Sequence, residues 1–467
     1  MTMRLLFALA AVFAAASPLA AQTTRDPFPE PIGAGHAPIV VDYVEFAVIS
    51  GVGDATARMT LLVTEPGTRR LFVNDMNGPI HAVSYDGRTV ARYLDTNDAR
   101  WGYPIQARGN ERGLQSFAFH PQFGQANTPG YGKFYTWVDI LDTAPTPDFR
   151  PGSESRDSHD TVLLEWTARD PGAATYDGEP PRELLRLEQP YPNHNAGQLG
   201  FNPTASPGDP DFGLLYVGVA DGGSGGDPMG MAQDLASAFG KIFRIDPLGS
   251  NSANGAYGIP ADNPFADDDA DTLGEIYAYG TRNPQRFAWD PENGNLFMAD
   301  IGQNTIEELT LVPRGANLGW NVWEGSFRYV GREGVDLADQ RGDPSMIFPV
   351  SEYGQPDALL QGQSAATGVL VYRANAIAAI ADMVLWGDNP SGEVWAIPAD
   401  DTSGGQASNR RVLLNDGGTP RALLELILQK TEARRADLRF GLGPEGEVFL
   451  LNKQDGVVRM LVPKEMP

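Results

Sequence analysis

Cysteine is absent from all 467 residues. That excludes disulfide staples, thiol nucleophiles, cysteine-ligated zinc and attachment of c-type haem. Histidine is scarce, at five residues, and His36, His81, His120 and His159 show no metal-ligand spacing. Positive charge is also short: 35 Lys and Arg stand against 60 Asp and Glu, a formal charge of −25. A surface this acidic repels nucleic acid and anionic lipid, so neither is expected as a partner. Beyond the N-terminus there is no long apolar run, and membrane insertion is not expected. No glycine-rich nucleotide loop and no Ser–His–Asp array is present.

The one apolar run is LLFALAAVFAAA, preceded by MTMR and followed by SPLAAQ. It is too short to span a bilayer and has the plan of a signal peptide cleaved near Ala21. The expected mature chain starts at Gln22 and is periplasmic or secreted.

Turn-formers are plentiful, with 53 Gly and 37 Pro spread between short apolar runs. This distribution signals many turns rather than disorder. One pattern recurs: strand, Gly- or Pro-containing turn, second strand, looser stretch. It is visible at Leu61–Gly87, Phe117–Thr167, Leu199–Pro247, Phe287–Val312, Gly368–Ile397 and Leu438–Leu461. Six four-stranded units that can bury their faces only against neighbours predict a six-bladed β-propeller, one all-β domain over residues 22–467. An early strand at Val40–Ile49 is expected to pair with the last blade and close the ring. Insertions at 141–160, 248–274 and 326–365 are expected to build a binding face. A helix is predicted at Ala422–Arg435 from its apolar spacing. KIFRID (Lys241–Asp246) alternates as a half-buried strand should, and DDDAD (Asp267–Asp271) reads as a solvated loop.

The stretch from His194 to Pro247 carries the chemistry. GLLYVGVA stops at DGGSGGDP, where glycines allow positive φ or close backbone approach. His194 and Asp221 each sit where a strand meets a loop, the place where a rigid β scaffold displays reactive groups. Taken alone, His194 reads more readily as a turn residue than as a catalyst, and Asp221 equally as a cap on the glycine loop.

Company changes the reading. HNAGQLGFNP and VADGG, with ERGLQSFAFHPQF, EIYAYGTRNPQRFAWDP, GNLFMADIGQNTIEEL and GANLGWNVWEG, together resemble the glucose/sorbosone dehydrogenase family. These are soluble quinoproteins that oxidise aldoses with pyrroloquinoline quinone (PQQ). The resemblance implies a six-bladed propeller, PQQ and Ca²⁺ as cofactors, a sugar substrate and an external electron acceptor. It implies His194 as the base on the anomeric hydroxyl, Asp221 as its orienting acid, and Arg282 and Asn283 as contacts to cofactor and substrate. Gly302 and Gln303 match backbone ligands of the cofactor's Ca²⁺, and Glu308 a carboxylate ligand of a second, structural Ca²⁺.

Two departures stand out. Glucose-oxidising members have Gln where this chain has Glu111, although other relatives carry Glu. The family's cofactor clamp, one Lys and two Arg, falls near Pro390, Ala436 and Leu438. Arg434, Arg435 or Arg439 are the candidates to replace it from shifted positions, because PQQ's three carboxylates need cations. Two alternatives follow: a Ca²⁺-dependent sugar lactonase without quinone, or a propeller that binds a glycan or protein.

Overall fold

The computed structural model describes residues 22–464 apart from 54, 143–145, 152–158 and 268–270. The expected leader and most of Asp267–Asp271 lie outside the described residues.

Six antiparallel four-stranded sheets form the blades. Their innermost strands are, in chain order, Met59–Thr64, Leu114–Phe119, Ala196–Phe201, Arg286–Trp289, Ala366–Tyr372 and Arg439–Leu442. Each packs against the next, and the sixth lies parallel to the first, so the ring closes around a channel. The predicted architecture is the observed one. Ring closure also follows expectation: Ile39–Val48 is the outer strand of blade 6, antiparallel to Val457–Val462. The same strand runs parallel to Arg410–Asp416 and ties blade 5 to blade 6. Pairing the two ends of the chain in one sheet makes any opening of the ring break a ladder of hydrogen bonds.

Each blade is covered on both faces by its neighbours. The indoles of Trp137, Trp166, Trp386 and Trp395 are wholly buried between sheets. For this reason Lys241–Ile245 is not half-buried, as its alternation predicts, but buried throughout. Its charged residues are paid for by partners: Lys241 Nζ donates to the carbonyls of Met231, Ala232 and Phe239. Arg244 pairs with Asp211 and Asp262. Burial pulls the Lys241 ammonium down to about 7.

Two other expectations change. Only Leu423–Ile427 is α-helical, closed at its start by Glu425 accepting from the Ala422 amide at 2.8 Å. Its four apolar side chains are buried, but beyond Leu428, half exposed, no apolar face remains to hold further turns against the protein. The 326–365 insertion is not only loop. Phe327–Tyr329 and Val335–Gln340 join Trp323–Glu324 and Thr23–Thr24 in a small extra sheet beside blade 4. No helix of the described residues is long and apolar enough to cross a membrane.

Candidate functional site

At the N-terminal ends of the inner strands the channel opens into a cleft of about 350 Å³. Of the insertions, 326–365 reaches its wall through Gln355, Gln363 and Ser364, whereas no residue of 248–274 does.

His194 stands just before the inner strand of blade 3, in the left-handed region at φ 56°. Such a backbone is strained for a residue with a side chain, and here it is held from outside. The His194 amide donates to Glu111 Oε2 at 2.7 Å. Glu111 also accepts from Asn283 Nδ2 at 3.4 Å, joining the starts of blades 2, 3 and 4. The Glu that departs from the glucose-oxidising pattern therefore has a positioning contact of its own.

His194 Nδ1 lies 2.7 Å from Asp221 Oδ1. Burial pushes the Asp221 carboxyl up, but the charge and hydrogen bond of His194, with Arg282 behind, hold it below the usual carboxylate value. An ionised carboxylate only accepts, so Nδ1 is the donor to Asp221 and Nε2 is the ring nitrogen left to face the cleft. Asp221 is further fixed by the Gly223 amide and by Trp320 Nε1, both at 2.9 Å. At Gly223, φ is 96° and a Cβ would lie 2.4 Å from the Asn193 carbonyl oxygen, so the close approach beside His194 demands glycine. Trp320 escaped the sequence reading; it lies within GANLGWNVWEG, but the motif alone does not say that its indole reaches back 99 positions.

Arg282 and Asn283 are presented by Asp300, whose two oxygens accept their amides at 2.8 and 2.6 Å. The Arg282 guanidinium donates to Ile301 O and Gln303 Oε1, lies 5.6 Å from the Trp320 ring centre, and has no ion pair among the described residues. Gly302 and Gln303 line the cleft, as expected, and neither carbonyl receives a hydrogen bond from the described residues. Gly302 is packed so closely on Ile306 O that no side chain fits.

Three cationic side chains gather on one wall of the cleft. Arg435 and Arg439 line the cleft, and so does Lys453, which the sequence reading missed. All three surround the single carboxylate of Asp437, which burial raises but these cations pull below its ordinary value. Arg439 Nη1 donates to Thr367 Oγ1 at 2.6 Å while its Nε has no partner. Lys453 Nζ donates to Asn110 O at 2.8 Å, and burial drives its ammonium well below the usual value. Three basic side chains thus face the carboxylates of Asp437 and Glu111 at this wall. Arg434 does not join them: it is exposed and outside the cleft, because in a non-helical segment it projects differently from its neighbour Arg435.

Glu308 sits apart from the cleft, in an acidic band. Asp300, Glu308 and Glu352 are directly opposite one another on three adjacent strands of blade 4. Glu324 from the extra sheet also acts on them. Burial, then Asp300, Glu352, Glu324 and Glu307, push the Glu308 carboxyl far up. Glu324 Oε2 and Glu352 Oε1 are buried without a partner. Among the described residues no three His, Asp or Glu side chains are arranged to hold a metal by themselves. A cation here would need backbone oxygens as well, which suits Ca²⁺.

Asp139, beneath the Glu111 segment, accepts from Thr161 Oγ1 at 2.6 Å and from the Gly113 amide at 3.1 Å. Burial raises its carboxyl to about 7. The folded state therefore holds this proton more tightly than the unfolded chain, and the stability it contributes is lost as pH rises from about 4 through about 7. The ceiling on that slope is about 1.4 kcal/mol per pH unit. Asp139→Asn, whose Oδ1 can accept from the Gly113 amide while its Nδ2 donates to Thr161 Oγ1, should gain stability relative to wild type over this window; urea unfolding at pH 5 and pH 8 measures it, and a constant difference would refute it.

The propeller thus gathers a His–Asp pair, an arginine without an ion pair and a group of cations round one axial cleft. The chain belongs to the glucose/sorbosone dehydrogenase family, which it matches over residues 59–421. It is 34% identical to the HIPL1 protein of Arabidopsis thaliana over 324 residues, 61% of this chain and 44% of that protein. With the aldose sugar dehydrogenase YliI of Escherichia coli it shares 31% over 139 residues, 30% of this chain and 32% of the other. The chain thus spans less than half the length of the HIPL1 protein. Among solved structures, the PQQ-bound aldose sugar dehydrogenase of Streptomyces coelicolor superposes with a TM-score of 0.57 at 20% identity, covering 91% of this chain and 99% of the other. The apo aldose sugar dehydrogenase of E. coli gives 0.58 at 17%, covering 91% and 98%. These likenesses establish the shared fold.

Proposed function

We propose that this protein is a PQQ-dependent sugar dehydrogenase that oxidises an aldose at its anomeric carbon to the lactone. The observation that carries the reading is convergence: the His194–Asp221 pair, Arg282 and the Arg435, Arg439 and Lys453 wall share one cleft. His194 Nε2 takes the proton of the anomeric hydroxyl, while Asp221 holds Nδ1 protonated and stabilises the imidazolium that forms. Arg282 places positive charge where an anion develops. Arg435, Arg439 and Lys453 hold carboxylates, and the Gly302 and Gln303 carbonyls offer ligands to Ca²⁺. When bound, PQQ would supply the hydride acceptor for this oxidation.

Titration of purified apo-protein with PQQ plus Ca²⁺, followed by dye-linked assay on a panel of aldoses, tests the proposal. Binding at micromolar PQQ and turnover of at least one aldose are expected; no binding would leave the lactonase or glycan-binding reading, which a lactone hydrolysis assay separates. Lys453→Met should weaken PQQ binding about 10- to 100-fold, the scale of one hydrogen bond to a charged group. An unchanged affinity would remove Lys453 from the clamp. We further propose export, with native protein beginning near Gln22; N-terminal sequencing that returned Met1 or Thr2 would overturn it.

A further inference from the structure

The channel has a second end. At the C-terminal halves of the same six inner strands lies a separate cavity of about 440 Å³. Its wall is apolar and largely aromatic, with Phe119, Phe201, Trp289 and Phe440 among the lining side chains. Leu442, 40% exposed, marks its solvent side.

One charged group belongs to this wall, Arg286, at the start of the blade 4 inner strand and 3% exposed. Its guanidinium reaches across the channel to Thr60 O at 2.9 Å and Gln115 O at 3.1 Å, and also donates to Gln285 O. Blades 1, 2 and 4 are thereby linked, and the channel is obstructed between cleft and cavity. Nε, however, has no partner, and Arg286 has no ion pair among the described residues. The charged residue acting on it is Arg439, a second cation. A buried guanidinium solvated by carbonyls alone, with one N–H unused, is an uncompensated charge of a kind proteins seldom retain without a partner. The rest of the wall is mostly apolar and offers contact to a hydrocarbon body.

We propose that this cavity is a binding site for a small organic monoanion with an apolar body, such as a medium-chain monocarboxylate. Its carboxylate meets Arg286 and its hydrocarbon lies among the aromatic side chains. The volume suits one small molecule, within the usual range of ligand pockets. The proposal is independent of the quinone reading, because this cavity and the His194 cleft share no lining residue.

Octanoate and octanol serve as matched probes, by calorimetric titration and thermal shift on the full chain. Octanoate should bind at least tenfold more tightly than octanol, the scale of a hydrogen bond to a charged group. Arg286→Met should erase that preference. Because Arg286 also bridges blades, a second variant guards against misfolding: Ala205→Trp, on the partly exposed rim, should block both probes without lowering the melting temperature. Arg435→Gln should leave octanoate binding unchanged, which separates this cavity from the cationic cleft. Equal binding of octanoate and octanol, loss in Arg435→Gln, or retention in Ala205→Trp would overturn the proposal and leave Arg286 as a tie between blades.

Discussion

His194→Ala will lower dye-linked sugar oxidation about 10²–10⁴-fold, the usual contribution of a positioned general base. The expectation rests on direction as much as on distance. Asp221 accepts from Nδ1 and is itself held by Gly223 and Trp320, so the imidazole cannot turn its other nitrogen away from the cleft without breaking a buried charged contact. Asp221→Asn should cost turnover while leaving PQQ affinity nearly unchanged, since it alters the protonation pattern of His194 rather than the cationic wall. The His194 backbone is at φ 56°, where asparagine is better tolerated than alanine. His194→Asn is therefore the control for folding, and it should be as inactive as the alanine variant. Activity retained in either variant, with circular dichroism unchanged, would remove His194 from catalysis.

Calcium removal is expected to have the second large effect, this time on stability. Asp300, Glu308 and Glu352 face one another across three strands, where like charges repel, and Glu324 adds a fourth carboxylate. Two of their oxygens are buried with no donor in reach. A cation bound there at 1,000 times its dissociation constant would stabilise the fold by about 4 kcal/mol. A chelator should then lower the melting temperature by several degrees, and Glu352→Gln should abolish the response to Ca²⁺ while relieving repulsion in the metal-free protein. Identical melting curves with chelator and with millimolar Ca²⁺ would refute a structural calcium here. Since Glu352 lies outside the cleft, the variant distinguishes this ion from one held with the cofactor at Gly302 and Gln303.

Much of the His194–Asp221 pair was legible in the chain because the motifs around His194, Asp221 and Arg282 are local. Each combines a short β-run with a loop whose glycines have no role in a packed core, and those two features survive any tertiary arrangement. The Lys453 contribution was not legible. LNKQDG is an ordinary turn between two strands of the last blade, and only ring closure carries it to Asn110, 343 positions away. Arg434 and Arg435 show the opposite difficulty. Adjacent in sequence and identical in chemistry, they differ only in which way the backbone directs each side chain, and that leaves Arg435 in the cleft and Arg434 in solvent.

By itself the sequence determined the strand–turn repeat, the count of six blades, the strand that closes the ring, and the loops that bear reactive side chains. These follow from alternation, turn chemistry and the need of each sheet to bury both faces, all of which act over a few residues or on every repeat alike. The acidic band, the cationic wall and the isolated Arg286 were decided only by tertiary structure. Each depends on strand register and on which blades meet across the channel. Electrostatic energy follows distance through space, and in a closed ring residues far apart along the chain become the nearest charges.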